Sequence, residues 1–514
     1  VPGVLLAIAD WFKRLVKPAV VRAYDGAGTG RRLEDWRTRG TSANAEVAAG
    51  ASSLRDRARD LVRNNPNASK AKREFVSALV GDGIRPRSAT GIAEIDREVD
   101  ALWSVTEPLL DAKSGRNGAA ATGWYAKQAT GAGGWFESGE VIQRRLVRTM
   151  DWGLPVPLQV ELLEADHLDA SITVELGEGR RVVQGVEFDA SGGVVAYHIL
   201  PRHPGESIGG FDFTVGAGAM GGVFTGGRAV RIEAWKIAHM YEELRPGQVR
   251  GIPWLTPVIV AMKDLDDAAD AERVRMRIAA CVTAFVYGNE VEEEGIATKV
   301  EDAEGNPIEV LEPGLIAYVR GGKDVKFPVP GTVTGWEGFN RVELTRIAAG
   351  LGTTYELISG DLSHVNFSSI RAGQIGFRRL IEACSALWFV PLFCAPVWGW
   401  FIEGAVGAGL LKPRPGGYPA RWVRSPWREV DAQKHHTAIK LAMRNGTLTF
   451  PEAVTSETGR DWREVLAEHA LVKTEVETLG LNFDSLPWSS TMAGRNEDTP
   501  VEDEDKPPRD PDEG

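Results

Sequence analysis

The chain has 514 residues, 43% hydrophobic and 25% charged; that balance excludes global disorder, and the length exceeds what one compact core holds, so several substructures are expected. Its formal charge is −12, and residues 496–514 alone carry nine acidic and two basic side chains. The rest is only mildly acidic and lacks the basic excess of a protein that grips nucleic acid, so a DNA partner would pass by rather than be held.

The opening run, VPGVLLAIADWFKRL, lacks a basic leading segment and is interrupted by Asp10, which favours an amphipathic helix over a signal peptide. Residues 26–50, rich in Gly, Arg, Thr and Ala, read as an extended arm. Helical patterning then covers 52–80, with a break at Asn64-Asn65-Pro66 and a stop at Gly81-Asp82-Gly83. A second mostly helical stretch covers 92–113, kinked at Pro108, and a Gly/Ala-rich linker at 114–123 leads to a helix expected near 138–149. Short alternating runs at 158–163, 182–188, 194–200 and 232–240 predict strands, with a hairpin turn at 189–193. Helices first and clustered strands afterwards imply an α+β body.

Residues 257–287 read as one helix of roughly 45 Å. Lys263, Asp264, Asp266, Asp267, Asp270, Glu272, Arg273, Arg275 and Arg277 leave it only a narrow apolar stripe, which suits a bundle between subunits. Residues 288–336 are acidic, Gly/Pro-punctuated and strand-like, with a hairpin loop at 302–307 and a strand at 311–319. A helix at 338–351, a polar loop at 359–369 and an apolar helix from Ile370 to about Phe389 follow. The 20 uncharged residues between Glu382 and Glu403 are long enough to span a bilayer. Pro391 and Pro396 are expected to break that helix, and Trp388, Trp398 and Trp400 are scattered rather than placed at its ends, so a buried helix of an oligomer is expected. Extended chain at 422–427, helices at 431–444 and 462–478, and a disordered acidic tail complete the reading.

Catalytic patterns are missing. There is no GxxxxGK[ST], HExxH, GxSxG or EF-hand run. The glycine runs at 131–134 and 216–222 do not sit between a strand and a helix. Cys281, Cys384 and Cys394 lie in apolar surroundings without a CxxC pair, so neither zinc nor a disulfide framework is expected and a reduced compartment fits. His198 and His203 imitate a metal pair, but no nearby carboxylate obviously completes a set, and strand and turn roles are expected for them. His435 and His436 diverge by about 100° on a helix. Asp361, Ser363 and His364 are too close in sequence for triad geometry. No enzyme activity, metal or cofactor is expected. The Glu290, Glu292, Glu293, Glu294 cluster reads either as a solvated loop or as an acidic channel wall past which a duplex slides. The loop around His364, Asn366, Phe367, Ser368 and Ser369 reads either as a connector or as a polar finger touching DNA weakly.

Taken in order, several stretches resemble the lambda family of phage portal proteins. They are Tyr24-Asp25 with Arg31-Arg32 and Trp36; RDRARDLVRNNP at 55–66; VGDGI at 80–84; LQVELLEAD at 158–166; GVEFD at 185–189 with AYHI at 196–199; RPGQVRGIPWL at 245–255; and IAAGLG at 347–352 with Tyr355-Glu356, Asp361 and NFSSIR at 366–371. Departures are Asp431-Ala-Gln-Lys434-His435, where the family tends to show Asp-Pro-Lys-Glu, and Phe367 where Tyr is common.

The resemblance implies a ring, usually of twelve subunits, at one vertex of the head, through which double-stranded DNA is packaged and ejected. It implies an N-terminal helix and arm (1–50), a wing (51–256), a stem helix (257–287), a clip (288–336), a second stem helix (337–357), a tunnel loop (358–370), an apolar helix returning to the wing (371–420), a helical crown (421–482) and a disordered tail (483–514). On this reading Lys263, Asp264, Asp267, Asp270, Arg273 and Arg277 belong to the stem. Glu290, Glu292, Glu293 and Glu294 belong to the clip or channel wall, and His364, Asn366, Phe367, Ser368, Ser369 and Arg371 to the tunnel loop. Implied partners are further copies of the chain, DNA, the terminase large subunit, head–tail connector or adaptor proteins, and major capsid and scaffold proteins, without stable membrane insertion. The implied location is the virion, with assembly in the host cytoplasm. The rival readings are another structural virion protein, such as a head–tail adaptor or scaffold, and a DNA-processing or cell-wall hydrolase.

Overall fold

The computed structural model describes residues 38, 40–116, 122–206, 228–288, 315–320, 325–326, 335–363, 367–427 and 431–481. The expected N-terminal helix and the first part of the arm, the 216–222 glycine run, the 302–307 loop and the acidic tail lie outside them. The arm was expected to run to residue 50, but α1 already begins at Ala43 and continues to Asn64. Ser42 caps it by accepting from Ala45 N, and the alanines around it favour helix. Asn65 ends α1 and caps α2 (Pro66–Val80), accepting from Ala68 N with Pro66 in the first turn. After β1 (Arg85–Ser88) come α3 (Ala93–Thr106) and a 3-10 turn at Glu107–Leu109 that contains Pro108.

Asp100 on α3 accepts from Ser88 N at 2.8 Å. Burial, joined by the charges of Asp461 and Asp96, pushes its carboxyl up to about 6 despite that hydrogen bond and Arg87. A carboxyl raised by folding weakens the folded state as pH climbs from about 4 through 6. Asp100→Asn keeps the acceptor and should gain about 2–3 kcal/mol at pH 7.5 and nothing at pH 3.5. Urea unfolding at the two pH values checks this, and an equal gain at both would refute it.

The helix expected at 138–149 is instead the end of one helix and a strand. α4 spans Trp124–Ser138 and β2 spans Glu140–Val147. Gly139, at φ 81°, ends the helix, and a Cβ there would lie 2.1 Å from the Ile252 carbonyl carbon, so only glycine fits. β2 forms the middle of a three-stranded antiparallel sheet between β3 (Leu158–Glu164) and β9 (Ile237–Tyr241). The 131–134 glycines lie inside α4 and serve packing, since a Cβ on Gly131 would meet the Phe393 ring at 2.3 Å.

A five-stranded meander holds β4 (Val174–Gly177), β5 (Arg180–Val183), β6 (Val186–Phe188), β7 (Val194–Ile199) and β8 (Val230–Glu233). Two expected strands are thus divided. The run at 182–188 turns at Gln184 and Gly185, both at positive φ, and the run at 232–240 contributes β8 and β9 to different sheets. A small core of Ile142, Leu168, Val186, Tyr197, Ile199, Ile237 and Val249 joins the two sheets.

α5 runs from Ile259 to Cys281, six residues short of the expectation, and Val282–Gly288 (β10) is a strand. Its β-branched and aromatic residues suit a strand. β10 pairs parallel with β11 (Leu315–Arg320) and antiparallel with β12 (Val325–Lys326). Then come α6 (Trp336–Gly350), α7 (Tyr355–Ser359) and α8 (Phe367–Cys384).

The prolines do not break the apolar helix as expected. A π-helical segment, Ser385–Cys394, contains Pro391 and continues α8 into α9 (Ala395–Gly407). The Phe393 carbonyl accepts from Gln143 Nε2 at 2.9 Å, so a neighbouring strand supplies a donor. By length and composition Ile370–Gly407 could cross a bilayer. Phe389, Phe393 and Phe401 are instead buried in the main core, and the Trp398 and Trp400 indoles donate to the carbonyls of Tyr418 and Trp235. β13 (Ala420–Val423) pairs with β1. α10 (Ala432–Arg444), α11 (Phe450–Thr458) and α12 (Trp462–Thr478) follow. α11 was not anticipated, although Thr449 and Glu452 form a full capping box at its start.

Candidate functional site

α5 and α6 are each rooted at one end, and beyond the roots their described residues are not buried. Val258, Ile259, Met262 and Leu265 are buried where α5 begins, and Leu344, Ile347 and Ala348 are buried where α6 ends. Gly350 brings the two roots together, since a Cβ there would lie 2.5 Å from Val258 Cγ1. Away from the roots, none of residues 266–277 of α5 is buried. The six expected stem residues, Lys263, Asp264, Asp267, Asp270, Arg273 and Arg277, are all exposed. Lys263 pairs with Asp267, Arg273 with Asp270 at 2.5 Å and Arg275 with Glu272 at 2.5 Å, all along the same helix. These short-range pairs tidy the surface and contribute only tenths of a kcal/mol each. Between them, Val274 and Met276 are each 52% exposed, and Phe339 and Val342 on α6 are 48% and 64% exposed.

The root is locked by a buried ionic network. Glu140 at the start of β2 is inaccessible to solvent. Arg250 donates to it through Nε at 2.8 Å and Nη2 at 2.5 Å, His239 lies 2.8 Å away, and Gly251 N donates at 3.1 Å. Arg55 on α1 is 3.5 Å away. Burial pushes the Glu140 carboxyl up, but Arg250 and His239 outweigh it and hold the carboxyl far below the ordinary carboxylate range. Arg250 also donates to the carbonyls of Ala165, Leu168 and Gln184. One guanidinium thus ties both sheets to the backbone that leads into α5. The run at 245–255 had been singled out in the sequence, but the pairing of Arg250 with a residue 110 positions earlier had no sequence signal.

The other expected site residues are placed unevenly. Glu290, Glu292, Glu293 and Glu294 lie outside the described residues, as do His364 and Asn366. Phe367, Ser368 and Ser369 belong to the first turn of α8 rather than to the expected loop, and Arg371 is exposed on the same helix. Phe367 and the residues after it are compatible with continuous helix, so the loop is shorter than its polarity suggested.

Ser363 Oγ donates to Asp361 Oδ1 at 2.5 Å, a local turn rather than part of a triad. The histidines are better supplied with carboxylates than expected. His198 lies 3.3 Å from Glu187, and His203 lies 3.7 Å from both Glu164 and Asp166. Glu164, Asp166 and His203 could in principle hold an ion. Arg59 already contacts both carboxylates, at 2.8 and 2.5 Å. His203 Nδ1 accepts from Gly205 N at 3.0 Å, which leaves the proton of the neutral ring on Nε2, the atom facing the carboxylates. The cluster therefore works as an ion-pair network. His435 pairs with Glu457 at 2.9 Å while His436 is exposed, so the two diverge as expected.

A family model described as "Phage portal protein, lambda family" matches residues 29–384. Among curated proteins the chain is 25% identical over 465 residues to "Probable portal protein" of Halomonas phage phiHAP-1, covering 87% of this chain and 85% of that one. It is 24% identical to "Portal protein" of Escherichia phage N15, covering 91% and 93%, and 22% identical to "Portal protein B" of Escherichia phage lambda, covering 93% and 94%. Among solved structures, a chain from "Neck of empty GTA particle computed with C6 symmetry" aligns with a TM-score of 0.41 at 15% identity, covering 80% of this chain and 92% of that chain.

Proposed function

The chain belongs to the lambda family of phage portal proteins, and from that premise we propose that its copies form a ring, expected to hold twelve, with α5 and α6 of each copy standing around an axial channel for double-stranded DNA. The observation that carries this reading is the pair of rooted helices whose outer lengths are charged and whose aliphatic side chains stay exposed among the described residues. A helix with so little buried surface needs neighbours to be stable in place. The segment that connects the two helices, beginning with β10, is the clip on this reading. It would offer the docking surface for the terminase large subunit before packaging and for head–tail connector proteins after it. The β2–β3–β9 sheet, the five-stranded sheet and α1–α4 form the wing, to which α8–α9 return and which would face major capsid and scaffold proteins, and α10–α12 form the crown. The work is mechanical, with no bond made or broken by this chain, and its place is the head vertex of the virion after assembly in the host cytoplasm.

A bore that conducts DNA must not hold phosphates, because phosphate contacts dominate DNA affinity. The Glu290, Glu292, Glu293 and Glu294 run would keep the wall of the bore repulsive, and His364 and Asn366 of the loop, with Phe367, Ser368 and Ser369 in the first turn of α8, would touch the duplex without fixing it. Substituting Lys at Glu292, Glu293 and Glu294 together should slow packaging severalfold and steepen its salt dependence, while rings still assemble. Packaging assays on particles carrying the triple variant read this directly. An unchanged rate removes these glutamates from the channel wall.

A further inference from the structure

The three helices that close the described chain have almost no core of their own. Across residues 431–481, all of them described, Ala453 is the one apolar side chain that is buried. α10 and α12 each pack on α11 and scarcely touch each other. Polar contacts tie the unit to β1 and β13: Arg87 Nη1 donates to Glu464 in the first turn of α12 at 3.2 Å, and Arg421 donates to Thr455 of α11 at 3.3 Å. A helical unit with so little buried apolar surface is not stable by itself, so further cover has to come from outside it.

Two faces left uncovered are complementary. On α10, His436, Ile439, Lys440, Met443 and Arg444 follow one another at helical spacing, lie on one face and line a shallow groove of about 380 Å³. That helix carries Lys434, Lys440 and Arg444 and no acidic residue. On α12, Leu471 and Val472 are 69% and 41% exposed, and Leu479 at its end is 65% exposed. Glu468 and Glu475 lie three or four residues from Leu471 and Val472 and therefore share their face. α12 sets four glutamates against Arg463 and Lys473. Among the described residues Lys440, Arg444 and Glu475 make no ion pair. A ring of identical copies needs two different faces on each copy that fit head to tail, and an acidic apolar face against a basic apolar one meets that requirement.

We propose that α12 of one copy seats its Leu471, Val472 and Leu479 face against the α10 groove of the next copy, with Glu468 and Glu475 toward Lys440 and Arg444. This rests on the ring reading and adds a contact separate in the chain from α5 and α6. Carbodiimide, which joins an amine to a carboxylate only where the two touch, tests it on rings assembled from equal amounts of ordinary and heavy-isotope-labelled full-length chain. Mass spectrometry should find Lys440 linked to Glu468 or Glu475, with about half of the linked pairs joining a labelled to an unlabelled copy. Leu471→Arg, at a side chain too exposed to matter to the lone subunit, should lower the yield of that link severalfold while rings persist. Rings without the link overturn the proposal and leave the ring reading standing. Links confined to single copies overturn it, as does a yield that Leu471→Arg leaves unchanged. Links from Lys440 to the acidic residues of 496–514 overturn it by making that tail the cover. A chain that forms no rings at any concentration overturns the ring reading and this contact with it.

Discussion

Glu140→Ala is expected to cost the subunit about 3–5 kcal/mol, because it strands Arg250 and the neighbouring Arg55 as buried charges without their shared counter-ion. The loss should exceed that of an ordinary core truncation of similar size, since the carboxylate also serves His239 and Gly251 N. The pH dependence follows from the depressed carboxyl. A group whose folded pKa lies below its unfolded value contributes stability that is complete above about pH 4.5 and is lost as pH falls toward the folded value. Unfolding free energies between pH 5 and pH 3 should therefore fall steeply in the unsubstituted protein and less steeply in Glu140→Gln. Denaturant titrations at these pH values measure both effects. A Glu140→Ala variant as stable as the parent would mean that the network does not hold the root of α5.

Val274→Asp combined with Val342→Asp is expected to abolish ring formation while leaving the subunit folded. Both side chains are more than half exposed in the subunit, so the substitutions should change its own stability by no more than about 0.5 kcal/mol. At an interface between copies, the same carboxylates would be desolvated without partners, at a cost of about 2 kcal/mol or more per contact. Because each copy in a ring makes two such contacts, the penalty accumulates around it. Native mass spectrometry should show large rings for the parent and single subunits for the variant. Rings of unchanged size and stability in the variant would put these faces outside the interface.

Much of this protein is legible in its sequence where the signal is local. Asn65-Pro66 punctuates α1 and α2, Gly81 ends α2, and the apolar spacing of 462–478 gives α12 with the limits observed. The absence of catalytic motifs, the ordered family stretches and the charged surface of α5 likewise need no partner residues to be read. Misreadings fell where two periods compete. Glu140–Val147 contains good helix formers, yet it is a strand because Gly139 stops α4 and β3 and β9 supply hydrogen-bond partners on both sides. Val282–Gly288 leaves the helix for a sheet because β11 and β12 are there to pair with it.

The sequence by itself determined the family, the α+β composition and the placement of the long charged helix, all of which rest on residue order and short-range periodicity. Only the tertiary structure decided that Glu140 and Arg250 meet, that the histidines face carboxylates, that Pro391 sits inside a continuous helix, and that α10 and α12 scarcely touch each other. The physical reason is range. A cap, a turn or a helical stripe is decided within a few neighbouring residues, whereas the charge balance of a buried group and the pairing of a strand depend on atoms that the chain brings together from a hundred or more positions away.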